Sequence, residues 1–144
     1  MYKFILNLHS GWAYIALFAV LIAFINAYAG FATKRVFSAR DKRISLFGLV
    51  AVHLQFVFGL ALYFVSPNGM DKIQKVGMGG MSAVDRLLAL EHPLINLIAI
   101  TLITIGWSRH KRAAEGSKFK GIAILYGLGL LLLLSRIPWQ NWLS

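Results

Sequence analysis

Residues 82–107 read SAVDRLLALEHPLINLIAITLITIGW, an apolar run broken by the triplet Glu91-His92-Pro93. From Val84 to Trp107 there are 24 residues, about 36 Å of helix at about 1.5 Å per residue, against a hydrocarbon core of about 30 Å. The run reads as a membrane span. Ionisable groups at such depth are costly, face protein or water rather than lipid, and mark functional sites. Pro93 cannot donate to the carbonyl of Ala89, and its ring crowds the preceding turn. A span starting at Pro93 would be only about 22 Å long, short for a crossing, so the helix is expected to begin near Val84 and kink. Asp85, Ala89, His92, Asn96, Ala99, Ile103 and Gly106 then share one face. Small and polar stripes of this kind are what membrane helices turn toward one another, and His92 is expected to point into the protein.

The rest of the chain agrees with a membrane class. Of its 144 residues 58% are hydrophobic and 14% charged, with mean hydropathy +0.68, and four long apolar runs leave no soluble way to bury them all. The net charge of +10 is topological rather than a nucleic-acid signal. Ten of the fifteen basic residues fall in two short stretches, Lys34, Arg35, Arg40, Lys42, Arg43 and Arg109, Lys111, Arg112, Lys118, Lys120, flanking spans as the positive-inside rule requires of cytoplasmic loops. With no cysteine, disulfides, thiolate catalysis, iron–sulfur clusters and cysteine zinc sites are excluded.

One transmembrane domain is expected over residues 1–144, with spans at about 6–32, 44–65, 84–107 and 121–137. Residues 33–43 and 108–120 are expected as cytoplasmic loops and 66–83 as an outer loop opened by the turn signal Ser66-Pro67-Asn68-Gly69. Ala27-Tyr28-Ala29 resembles a signal-peptide cleavage site, but only Lys3 precedes the first run and the strong charge follows it. The fold class is therefore an all-α integral membrane protein, an up-and-down four-helix bundle with both termini periplasmic. In the first span His9, Ala13, Ala16, Val20, Ala23, Ala27 and Gly30 form a small-residue seam suited to close helix contact. Tyr63, Phe56 and Phe64 are expected in core packing. His110, among lysines and arginines, is expected to be solvated.

Three histidines, His9, His53 and His92, fall on three different spans. At about 1.5 Å per residue His53 lies about 14 Å from the inner boundary, His92 about 12 Å from the outer one and His9 about 5 Å from it. Depth alone lets His92 pair with either of the others. Two such imidazoles on facing helices are candidate axial ligands for a haem iron; the bland reading is an interhelical hydrogen bond from each. Arg136 is a candidate for a haem propionate through its forked guanidinium, or it pairs with Asp85 or Glu91. Glu91 either orients His92 or meets Arg136 or Arg86. Met70, Met78 and Met81 put three soft thioethers in the outer loop, which with His9 and His92 would make a copper-handling site.

The segments His9-Ser10-Gly11-Trp12, Val52-His53-Leu54-Gln55 with Gly59-Leu60-Ala61-Leu62-Tyr63-Phe64, Glu91-His92-Pro93 with Ile98 to Gly106, and Ser135-Arg136-Ile137-Pro138-Trp139 resemble a family of small four-span proteins from Bacteroidetes labelled cytochrome b-like. The resemblance covers nearly the whole chain. It implies a b-type haem protein of the bacterial inner membrane, with His9, His53 and His92 as the positions from which two axial ligands come. The expected function is electron transfer between a quinone or reduced partner and an acceptor. A non-catalytic accessory or assembly subunit, its basic loops docking a partner or anionic lipid, is the alternative, and copper handling is the third.

Overall fold

The computed structural model describes residues 1–143. They form helices α1 (Tyr2–Ala32), α2 (Ala39–Val65), α3 (Met70–Val76), α4 (Ala83–Arg86), α5 (His92–His110), α6 (Glu115–Ser135) and α7 (Trp139–Trp142), with a 3₁₀ turn at Met78–Gly80 and a π-helical segment at Leu87–Glu91. No strand occurs among the described residues. α4, the π segment and α5 run on as one helix, Ala83–His110, and this helix, α1, α2 and α6 are each long and apolar enough to cross a membrane. α1 packs on α2 and α6, and α5 packs on the same two. The result is a closed up-and-down bundle in which α1 and α5 stand diagonally opposite. Large apolar side chains such as Phe18, Ile25, Phe47, Val57 and Leu131 cover its outer faces, the surface a bilayer would contact. This is a multi-pass membrane protein.

Pro93 is accommodated by a change of helix type rather than an open kink. The amide of His92 reaches back five residues to the carbonyl of Leu87, so the turn ahead of the proline is widened and the ring no longer crowds a four-residue repeat. Beyond it the expected stripe is kept. Ala89, Ala99, Ile103 and Gly106 are buried, and His92, Asn96 and Asp85 are half-buried.

Small residues set the helix spacing. Ala16, Val20, Ala23, Ala27 and Gly30 of the α1 seam are all buried, facing Ala51 and Val52 of α2 and Ile122 and Tyr126 of α6 in one core. At Gly48 an added Cβ would lie 3.3 Å from the Ala19 carbonyl oxygen, a tight contact that α2 and α1 would have to ease apart by a few tenths of an ångström to accept. Two indole or phenol groups cross between helices to backbone carbonyls. Trp12 Nε1 donates to Ala51 O at 2.9 Å and the buried Tyr126 hydroxyl to Ser45 O at 2.8 Å. Phe56 packs against this core, whereas Phe64 is 62% exposed and Tyr63 half-buried outside it.

The loops at the basic end are shorter than expected. α2 begins at Ala39 rather than Ile44, because Ser38 and Asp41 form a capping box that satisfies the first turn. α6 begins at Glu115 and ends at Ser135, six residues earlier and two residues earlier than the expected 121–137. Asp41 is fully buried and takes Arg35 Nη1 at 2.8 Å, Asn26 Nδ2 at 2.9 Å and the Ser38 hydroxyl at 2.7 Å. The α2 carboxylate, surrounded by donors from α1 and the turn, pins those three segments together. His110 is the clearest departure. It is buried, 4% exposed, with Nδ1 donating to the Trp107 carbonyl and its ring against Trp107 and Phe37. α5 continues through it, and Phe37 from the other basic loop closes over the ring. At the opposite end α7 folds back on α1, where Trp142 Nε1 donates to Ser10 O at 3.3 Å, so both chain ends lie at the same end of the bundle.

Candidate functional site

The site assembles near the chain ends from four helices. α1 supplies His9, α2 supplies Gln55 and Gly59, α5 supplies His92 and Asn96, and Arg136 follows α6. The rings of His9 and His92 are 6.2 Å apart centre to centre and perpendicular. Since α1 and α5 are diagonal, this contact runs through the bundle interior.

The hydrogen bonds fix the protonation pattern of the neutral rings. His92 Nδ1 lies 2.8 Å from Arg136 O; a carbonyl only accepts, so Nδ1 carries the proton and Nε2 is left with its lone pair. Asn96 Nδ2 donates to that Nε2 at 3.0 Å. Gln55 Nε2 donates to His9 O at 3.0 Å and is 3.2 Å from His9 Nδ1. The carbonyl sets the amide's orientation, so its second hydrogen points to Nδ1 and the His9 proton sits on Nε2. Gln55 uses both of its amide hydrogens and Asn96 one. Gln55 Oε1 and Asn96 Oδ1 are buried acceptors with no partner among the described residues, and each such group costs about 1–3 kcal/mol. Gly59 makes room for the His9 ring, because a Cβ there would lie 2.9 Å from His9 Cε1.

Charge closes the site on its outer side. Glu91 takes Arg86 Nε at 3.2 Å and Arg136 Nε at 3.3 Å, while Asp85 pairs with Lys72 at 3.3 Å. Arg136 therefore belongs to the site twice, through its carbonyl on His92 and its guanidinium on Glu91. Glu91 does not touch the imidazole beside it, as expected for adjacent helix positions about 100° apart.

His53 stands apart. It is exposed, with Nδ1 donating to Leu49 O one turn back at 2.8 Å and Nε2 3.4 Å from the Thr104 hydroxyl. Two positions along α2 from Gln55 is about 200° around the helix, so α2 turns the amide inward and the imidazole toward α5 and lipid. Three converging imidazoles are not formed; two are. Of the loop methionines, Met81 is buried, Met78 is 69% exposed and Met70 40%, so Met81 and Met78 face opposite surroundings.

His9 and His92 are the two imidazoles from different helices that meet, and so the residues that could hold a haem iron. At His92 the far nitrogen is bonded to the Arg136 carbonyl, and ligation through Nε2 would displace the Asn96 amide that donates to it. At His9 ligation would displace the Gln55 amide from Nδ1 or move the ring proton from Nε2. Among the described residues no group of three or more His, Cys, Asp or Glu side chains is placed to hold a metal ion. Two surface grooves, one beside Tyr14 and Phe47 and one beside Phe37 and His110, are not lined by these histidines; the Gln55 and Asn96 amides lie against the ring nitrogens. No family model, curated protein or solved structure matches the chain.

Proposed function

We propose that this chain is a b-type haem protein of the bacterial inner membrane, carrying electrons between a quinone or reduced partner and an acceptor, as its resemblance to the cytochrome b-like family implies. The observation that carries the reading is the meeting of His9 and His92 across the bundle at 6.2 Å between ring centres. Bound haem would supply one-electron chemistry at iron. The protein's own residues orient and tune. The Arg136 carbonyl fixes the His92 tautomer and turns Nε2 inward, Gln55 positions His9, and Arg86 and Arg136 offer guanidinium groups to carboxylates at the outer rim in exchange for Glu91. With the basic loops cytoplasmic, as the positive-inside rule expects, that rim would face the periplasm.

The test is the wild-type protein purified from haem-replete cells. A Soret band with about one haem per chain is expected; a colourless protein that also takes up no haem on reconstitution would overturn the reading.

A second reading is favoured by one observation. Both imidazoles already have hydrogen-bond partners on other segments, His9 in Gln55 and His92 in Arg136, so they also serve as interhelical ties in an accessory subunit. That reading expects a stoichiometric partner in gently solubilised membranes and no chromophore. Copper handling requires Met78 and Met81 on one ion, and their opposite exposure gives it less support.

A further inference from the structure

The basic end carries a second, unrelated site. A groove of about 320 Å³ opens between the first turn of α2 and the turn joining α5 to α6, lined by Lys42, Lys111 and Lys118, with Phe37 and His110 among its walls. We propose that this groove binds the headgroup of an anionic, hydroxyl-bearing phospholipid, its phosphate on the lysines and its hydroxyl on His110.

The charge balance is specific to the groove. Lys118 shares its charge with Glu115 at 3.2 Å, and Glu115 also accepts the Phe37 amide at 2.8 Å. The other nearby carboxylate, Asp41, is saturated by Arg35, Asn26 and Ser38. Lys42 and Lys111 therefore have no ion pair among the described residues, and together with Lys118 they present three cations against one carboxylate. Aromatic walls hold the amines in place, Lys111 Nζ 5.4 Å from the Trp107 ring centre and Lys118 Nζ 5.9 Å from that of Phe37. The start of α2 adds little by itself, because the amides of Phe37 and Ser38 are already taken by Glu115 and Asp41.

His110 points to the headgroup's second feature. It is 96% buried and lines the groove; its Nδ1 donates to Trp107 O, which leaves Nε2 as an acceptor with no partner among the described residues. A bare phosphodiester cannot donate to it, whereas a glycerol hydroxyl can. The position fits a lipid source. The groove lies at the ends of the spans, beside Trp107, where headgroups sit and interfacial tryptophans concentrate.

The experiment is native mass spectrometry of the full chain released from micelles doped with phosphatidylglycerol, phosphatidylcholine or phosphatidylmethanol, which is anionic without a hydroxyl. Wild type should retain phosphatidylglycerol at least tenfold over phosphatidylcholine, and the double variant Lys42→Gln/Lys111→Gln should lose about tenfold or more of that retention. Arg40→Gln/Lys120→Gln removes the same charge outside the groove and should behave as wild type; equal losses in both would show diffuse surface charge and overturn the proposal. His110→Phe keeps the ring packing and should erase the preference for phosphatidylglycerol over phosphatidylmethanol, and no such preference in wild type would also overturn it. Inorganic phosphate that binds alone and displaces the lipid completely would assign the groove to free phosphate instead.

Discussion

The imidazole of His92 stands perpendicular to that of His9, 6.2 Å from it between ring centres, although α1 and α5 occupy opposite corners of the bundle. Helices at opposite corners meet only through side chains that reach the axis. Each ring is then held from outside the pair, His92 by the carbonyl of Arg136 and His9 by Gln55. The pair is a centre with its own support, not an incidental contact between neighbouring helices.

Gly59 is the narrowest part of that support. Gly59→Ala would put a methyl 2.9 Å from His9 Cε1, forcing the ring or α2 to move. A loss of about 1–3 kcal/mol is expected, the usual cost of overpacking, with a shifted absorption band in haem-loaded protein. Thermal unfolding in detergent and the spectrum check both; an unchanged melting temperature and spectrum would show that the ring has more room than this.

Asp41 ties α1 to α2, and its partner Arg35 is 42% exposed. Removing one partner of a buried ion pair costs about 3–5 kcal/mol, and the solvent at Arg35 reduces this, so Arg35→Ala should cost about 2 kcal/mol. Ser38→Ala, which removes the cap, should cost about 1 kcal/mol. Equilibrium unfolding in mixed micelles measures both. A neutral Arg35→Ala would mean that Ser38 and Asn26 suffice for the carboxylate.

The buried Tyr126 hydroxyl donates to Ser45 O at 2.8 Å, whereas Ser45 Oγ is buried without a partner among the described residues. Tyr126→Phe should therefore destabilise by about 1 kcal/mol, and Ser45→Ala should be neutral or slightly stabilising. The reverse order in the same unfolding assay would contradict these assignments.

The spans, the small-residue seam of α1 and the inward stripe of α5 were legible in the sequence, because hydropathy over some twenty residues and helical spacing need no partner to be read. The longer helices at the basic end were less so. The capping box at Ser38 and Asp41 lies inside a run of basic residues that reads as loop. His110 shows the limit most plainly. Its sequence neighbours are charged, yet its environment is made by Phe37, which only the packed bundle brings near. The choice of His9 over His53 as the partner of His92 depended on the rotation of α2. Gln55 faces in and His53 faces out, and no depth estimate contains that angle.

Topology can be read on a clean background, since the chain has no cysteine. Ala113→Cys, in the turn between α5 and α6, should react with an impermeant maleimide only after the membrane is opened, and Gly79→Cys should react in spheroplasts directly. The opposite pattern would invert the bundle and put the histidine site on the cytoplasmic side.

The central claim is that His9 and His92, and not His53, form the ligand pair. Absorption spectra of wild type beside His9→Ala, His92→Ala and His53→Ala test it most directly. The account predicts that either of the first two variants loses or broadens the low-spin Soret and α bands while His53→Ala keeps both. Loss of haem in His53→Ala with retention in His9→Ala, or no chromophore in any of the four, would contradict it.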